Sequence, residues 1–94
     1  MRKKEFKTWM TKNGYTAKSA SDCASRIISI EKEFNTDIDS EWEKDCCQTL
    51  LSRLPNKRDR EKSGLKYSLL PNDGFKLSNY RYSLKKYLDF LSNE

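Results

Sequence analysis

The side chains of this sequence that could do chemistry are its lysines and arginines. Four of them fall within six positions, in the run 57–62 that reads KRDREK. Flexible ammonium and guanidinium groups bind phosphate oxygens, so a phosphate-contacting loop is one interpretation of this run. A solvated loop whose charges have no partner is the other. The whole chain holds 19 Lys and Arg against 14 Asp and Glu, and this net charge of +5 suits a polyanionic partner.

Other kinds of chemistry find little support in the composition. The chain has no histidine and only three cysteines, so a zinc site would have too few ligands. The odd cysteine count, with Cys46 and Cys47 adjacent, does not suit a disulfide framework and favours a reducing, cytoplasmic location. No carboxylate pair has a setting that would drive two pKa values apart for acid–base catalysis. We therefore expect a non-catalytic protein without a metal, a cofactor or a small-molecule substrate.

Length and hydrophobicity indicate one small soluble domain spanning residues 1–94. Apolar residues make up 35% of the chain, below the usual share of roughly 45–50% with glycine counted, so the core must depend on its aromatic side chains. No apolar run approaches the roughly 20 residues of a membrane span, and we expect no membrane partner.

Apolar periodicity predicts four helices, and with them an all-α fold, a small four-helix bundle. The predicted helices cover residues 3–13, 16–34, 40–54 and 77–91. Residues 55–75 separate the last two as a long charged loop in which 65–70 is either a brief helix or a strap over the core.

Local signals set the predicted helix ends. Asn13-Gly14 ends the first helix, and Thr16 is a good N-cap for the second. Asp39 or Ser40 would cap the third. The stripe on the last helix indicates core positions: Leu77, Tyr80, Leu84, Tyr87, Leu88 and Leu91. On the third helix, Cys46 and Cys47 would be two packing positions rather than a redox pair.

The candidate DNA contacts are the basic side chains that these elements would carry on their surfaces, together with one serine. They lie at the start and middle of the second helix, in the charged loop and on the flank of the last helix. The candidates are Lys18, Ser19, Arg26, Lys57, Arg58, Arg60, Arg81 and Lys85. Backbone N–H groups at the start of the second helix could also hold a phosphate.

Two stretches of the chain resemble the N-terminal core-binding domain of tyrosine recombinases and phage integrases, a SAM-like helical domain. The first stretch is Phe6–Met10 (FKTWM) followed by Gly14–Ser19 (GYTAKS) and Cys23. The second is Ser83–Leu91 (SLKKYLDFL), which is similar to the last helix of that family. Thr16, Ser19 and Cys23 stand where the family typically has Ser, Thr and Tyr.

This resemblance implies that the chain clamps duplex DNA opposite a separate catalytic domain. The tyrosine nucleophile and its Arg and His partners belong to that second domain in the family. We therefore expect no nucleophile among the five tyrosines here, and a chain that is either one domain of a recombinase or a stand-alone binder. The implied partners are double-stranded DNA and other recombinase protomers on the same DNA.

Two alternatives stay open. The first is a helical protein–protein interaction module, because Tyr82 and Phe90 lie off the main apolar stripe and could anchor a partner. For Phe90, a contact with the first helix is the competing interpretation. The second alternative is a DNA-binding domain attached to a nuclease or a restriction-type protein.

Overall fold

The computed structural model describes residues 1–54, 67–71 and 74–93, and these residues form five α-helices and no β-strand. The helices are α1 (Lys3–Lys12), α2 (Ala17–Phe34), α3 (Ile38–Asp45), α4 (Gln48–Ser52) and α5 (Gly74–Ser92). The described part is therefore all-α, as predicted. Most of the predicted charged loop, residues 55–66, lies outside the described residues.

The turn between α1 and α2 follows from local chemistry. Gly14 has a φ of +90°, a left-handed conformation that glycine adopts without steric cost. Thr16 then caps α2, because its Oγ1 atom accepts the N–H of Ser19 at 3.1 Å. The predicted end of the first helix and the predicted N-cap of the second are both confirmed.

Helix α2 packs against both α1 and α5, which also contact each other. The core between these three helices contains apolar residues of α2, most of the stripe predicted on the last helix, and two residues of α1. Its members include Phe6, Met10, Ala20, Cys23, Ala24, Ile27, Ile30, Leu77, Leu84, Tyr87 and Leu91. Two residues of the predicted stripe, Tyr80 and Leu88, are only half-buried.

The predicted third helix is wrong in one respect, because the structure breaks it into α3 and α4. Cys46 and Cys47 both adopt left-handed backbone conformations, with φ of 55° and 63°. Cys47 is buried and its Sγ atom contacts the carbonyl oxygen of Ile38, whereas Cys46 is exposed. Only Cys47 is therefore a packing position.

The start of this helix also differs from the prediction. Asp37 is the N-cap of α3, and its Oδ2 atom accepts the N–H of Ser40 at 3.2 Å. Asp39 and Ser40 lie inside the first turn. Because the cap lies earlier in the chain than predicted, Ile38 is the first residue of the helix, and its side chain is fully buried.

Residues 67–71 are neither helix nor strand. Hydrogen bonds connect them to α2 and to Arg53, the C-cap residue of α4. The Oε1 atom of Glu33 accepts the N–H groups of Leu69 and Leu70 at 2.8 and 3.1 Å, and the Leu70 side chain enters the core. The Tyr67 hydroxyl donates a hydrogen bond to the carbonyl oxygen of Arg53. The sequence predicts residues 65–70 as either a brief helix or a strap over the core. The described part of this segment matches the strap.

The N-terminal end of α1 is held by polar contacts. The N–H of Arg2 donates to the Tyr87 hydroxyl at 2.8 Å. The Met1 ammonium forms ion pairs with Glu31 at 3.0 Å and with Asp37 at 3.1 Å. These contacts tie α1 to α2, α5 and the start of α3.

Candidate nucleic-acid interface

Charge is unevenly distributed among the helices. Helix α1 carries four lysines and one glutamate, and α5 carries four basic side chains and one aspartate, so each has a net charge of +3. The segment from the cap Asp37 through α3 holds five carboxylates and one lysine. Among the described helices, two are therefore basic and one is acidic.

The two basic helices are neighbours. The ring of Phe6 on α1 meets Tyr87 and Phe90 of α5 edge to face, with centroids 5.1 and 5.8 Å apart. Trp9 adds a third contact, 5.9 Å from the ring of Phe90. Phe90 is thus a core residue packed on the first helix, and the structure favours that interpretation over an anchor for an external partner.

The outward side of α1 gathers all four lysines of that helix on one surface. We call it the α1 lysine face, and its members are Lys3, Lys4, Lys7, Thr8, Thr11 and Lys12. All are exposed except Lys7, which is half-buried. In the described ranges the only cations in ion pairs are the Met1 ammonium and Arg2, so these four lysines have no carboxylate partner there. The helical period of the sequence places Lys4, Thr8 and Lys12 opposite the apolar side of the first helix, but the candidate DNA contacts predicted from the sequence do not include this face.

Lys18 and Ser19 occupy the first turn of α2, as predicted, and both are exposed. The N–H of Ser19 is engaged by Thr16 Oγ1, and the Thr16 hydroxyl lies 3.0 Å from Ser19 Oγ. This cap uses the Ser19 amide that was expected to hold a phosphate. The Lys18 ammonium and the Ser19 hydroxyl are the groups that this turn presents.

Arg26 is half-buried in the middle of α2. It follows Cys23 by three positions and precedes Glu33 by seven, so the three residues share one side of the helix. Glu33 binds Leu69 and Leu70, and Arg26 itself forms no ion pair within the described part of the chain.

Arg81 and Lys85 are one turn apart on α5. Lys85 is exposed, whereas Arg81 is half-buried and its Nε atom has no hydrogen-bond partner among the described residues. Lys85 precedes Tyr87 by two positions and Phe90 by five, which at about 100° per residue turns it away from α1. Arg81 and Lys85 therefore lie on the side of α5 that faces away from α1, the helix that carries the α1 lysine face.

The structure brings the sequence-predicted residues together only in part. Lys18 and Ser19 share one turn of α2, and Arg81 and Lys85 share one flank of α5. Among the described residues, no hydrogen bond or ion pair connects the first pair, the second pair and Arg26 to one another. Lys57, Arg58 and Arg60 lie outside the described residues.

A second basic feature that sequence reasoning missed is a cluster of Tyr15, Tyr82 and Lys86. The Lys86 ammonium lies 5.2 Å from the ring centroid of Tyr15 and 5.4 Å from that of Tyr82. The nearby ammonium lowers the pKa of the Tyr15 hydroxyl, and Tyr15 in turn raises the pKa of Lys86. The cluster joins the α1–α2 turn to α5 and leaves Tyr82 47% exposed.

Three further findings bear on the site. Within residues 1–54, 67–71 and 74–93, no three His, Cys, Asp or Glu side chains come together as metal ligands. No helix in these ranges is long and apolar enough to cross a membrane. No protein-family model, no curated protein and no solved structure matches the chain.

Proposed function

We propose that this protein is a DNA-binding module that holds duplex DNA through backbone phosphates. The observation that carries the proposal is the separation of charge: two adjacent helices with a net charge of +3 each, and the carboxylates concentrated around α3. Such a distribution orients the molecule toward a polyanion and raises the rate of encounter. Phosphate contacts position a protein on DNA and carry little sequence information, so binding is weakly sequence-specific.

For the wider role we propose the core-binding domain of an integrase or site-specific recombinase, with a SAM-like helical bundle and other recombinase protomers as partners on DNA. Its support is the likeness of Phe6–Met10, Gly14–Ser19 and Ser83–Leu91 to that family. The proposed setting is the cytoplasm, because all three cysteines are free thiols, which suits a reducing compartment. The DNA contacts proposed from the sequence remain Lys18, Ser19, Arg26, Lys57, Arg58, Arg60, Arg81 and Lys85.

A protein-interaction role is a second candidate, and a specific observation favours it. Leu69 and Tyr82 are the large hydrophobic side chains of the described residues that are most exposed, at 58% and 47%. Exposed aromatic residues often anchor protein partners. These two side chains lie on different elements, and the Lys86 ammonium beside Tyr82 suits a nucleic acid equally well.

The test is a titration of the protein into a fluorescently labelled 20-base-pair duplex, followed by anisotropy at several salt concentrations. We expect binding at about 50 mM salt that weakens steeply toward about 200 mM, because counterions released from DNA on binding make affinity depend on salt. Two unrelated duplex sequences should give similar affinities. No binding at about 50 mM salt with high-micromolar protein would refute DNA binding.

A further inference from the structure

Resting on the proposed function, we infer that the α1 lysine face is the principal surface that meets the phosphate backbone of duplex DNA. This assigns a binding role to Lys3, Lys4, Lys7 and Lys12, and gives the basic residues of α2 and α5 a secondary one. The ligand is the phosphodiester backbone, contacted without reading its bases.

The spacing of the face suits a row of phosphates. Its members form two parallel rows along the helix, Lys3–Lys7–Thr11 and Lys4–Thr8–Lys12, each with a repeat of four residues. At 1.5 Å of rise per residue, neighbours in a row are about 6 Å apart and the face is about 14 Å long. Duplex DNA carries one charge per roughly 1.7 Å of its axis, so several phosphates fall within reach of the four ammonium groups. The two intervening threonine hydroxyls donate to the carbonyl oxygens of Lys4 and Thr8, so the phosphate contacts fall to the lysines.

The stability of the helix explains Lys12, which lies in the last turn where the helix dipole favours a cation, but it does not explain Lys3, Lys4 and Lys7. Lys3 and Lys4 lie in the first turn of α1, where the helix dipole favours negative charge, and Lys3 and Lys7 repel each other at a spacing of four residues. Glu5 is the single acidic residue within α1, and its carboxylate pairs with Arg2 rather than with a lysine of the face. A bound polyanion would relieve this repulsion.

The rest of α1 favours DNA over a membrane surface or single-stranded bases. A helix that lies on a membrane must insert an apolar face, but Phe6 and Met10 are fully buried in the core. Base stacking requires accessible aromatic rings, and Trp9 is half-buried between the rings of Phe6 and Phe90. The polar groups that the face has available for a ligand are its ammonium groups, because the Thr8 and Thr11 hydroxyls donate to backbone carbonyl oxygens within the helix.

The face is also held in a fixed orientation. Ring contacts with α5 anchor the inner side of α1, and the Arg2 N–H bond to the buried Tyr87 fixes its first turn. The two rows of lysines are therefore positioned before DNA arrives, and binding orders only the side chains.

The experiment compares the salt dependence of duplex affinity in the wild type, in Lys4→Gln/Lys12→Gln and in Lys32→Gln/Lys44→Gln. Glutamine removes the charge and has a helix propensity close to that of lysine, so circular dichroism should show unchanged helicity. The control pair removes the same charge from exposed lysines that neighbour carboxylates, at the ends of α2 and α3. Vesicles containing phosphatidylserine provide the membrane arm.

We expect the α1 variant to lose about tenfold or more in affinity at 0.1 M salt and its log–log salt slope to flatten by about 2, since each lost phosphate contact removes roughly 0.9. The control variant should keep the wild-type slope. If the wild type binds duplex and the α1 variant has the same slope, the inference fails and the proposed function stands. If the wild type binds no duplex, or binds only the vesicles, both fail.

Discussion

The hydroxyl group of Tyr87 on α5 donates a hydrogen bond to Oδ1 of Asp39 on α3, 48 residues away in the chain. The Tyr87 hydroxyl oxygen also accepts the N–H of Arg2. The Tyr87 side chain is fully buried, and burial together with the nearby Asp39 carboxylate raises the pKa of its hydroxyl. One phenol group thus connects the last helix to two segments from the first half of the chain.

Replacement of this hydroxyl should be costly. In Tyr87→Phe the Arg2 N–H and the Asp39 carboxylate lose a partner, so we expect the free energy of unfolding to fall by about 1–3 kcal/mol. Urea denaturation measures the change. Tyr80→Phe is the matched control, since Tyr80 is half-buried on the same helix and its hydroxyl has no hydrogen bond to a described residue. Equal losses in the two variants would show that the hydroxyl network is not the cause.

Leu84 tests the central packing of α5. Its side chain is fully buried, so Leu84→Ala should cost on the order of 2–5 kcal/mol of unfolding free energy. Leu69→Ala serves as the comparison, because a side chain that is 58% exposed should cost less than about 0.5 kcal/mol. A loss below about 1 kcal/mol for Leu84→Ala would mean that this position does not contribute to the core.

The pair formed by Met1 and Asp37 predicts how stability varies with pH. Burial alone would lower the pKa of the Met1 ammonium, but hydrogen bonds to Glu31 and Asp37 outweigh it and raise this pKa above 8.0. Burial alone would raise the pKa of Asp37, but the ammonium and Ser40 lower it below 3.8. The stabilisation is therefore fully present between about pH 3.8 and 8.0. It is lost as pH rises through the raised pKa or falls through the lowered one.

Asp37→Asn isolates this pair, because asparagine preserves the N-cap and removes the charge. We expect the variant to lose at most about 1 kcal/mol at pH 6, since Asp37 is 52% exposed, and to respond less than the wild type at both extremes. Thermal unfolding between pH 3 and pH 10 provides the measurement. Identical pH profiles for the two proteins would contradict the assignment.

Cys46 and Cys47 both have left-handed backbone conformations, but replacement of each by glycine should change the free energy of unfolding in opposite directions. Cys46 is exposed with a positive φ, so Cys46→Gly should raise the free energy of unfolding by up to about 1 kcal/mol, as glycine adopts this conformation without strain. Cys47→Gly removes a buried thiol whose pKa is raised to about 12 by burial, and it should destabilise the fold. Chemical denaturation of both variants tests the contrast, which would be refuted if Cys46→Gly were the less stable.

The flank of α5 has its own test. Arg81→Glu/Lys85→Glu should weaken duplex binding while helicity by circular dichroism is retained, because it converts two cations near a polyanion into anions. Lys32→Glu/Lys44→Glu makes the same change in charge elsewhere and should weaken binding less. Equal affinities for the α5 variant and the wild type would remove this flank from the interface.

The parts of the fold that the sequence predicts well depend on local chemistry. Thr16 caps α2 through a bond to a residue three positions away, and Gly14 reverses the chain within one turn. The apolar period on α5 likewise selects Leu84 and Tyr87 without knowledge of their partners. Such signals lie within a few residues of the structure they determine.

The break between α3 and α4 is not local in this sense. The apolar period continues through Cys46, and cysteine has no preference for a positive φ that would mark a stop. Burial of Cys47 against Ile38 depends on how the chain packs on itself, which periodicity does not contain. For the site, the basic helices were identifiable from their composition. The neighbouring positions of α1 and α5 required the ring contacts of Phe6 with Tyr87 and Phe90.

The bonds from Tyr67 to Arg53 and from Leu69 and Leu70 to Glu33 hold residues 67–71 against α2 and the end of α4. These residues form no helix or strand, so the three bonds and the burial of Leu70 fix their conformation. Opening of this segment would break the three bonds together and expose Leu70, which makes the segment and the end of α2 one cooperative unit.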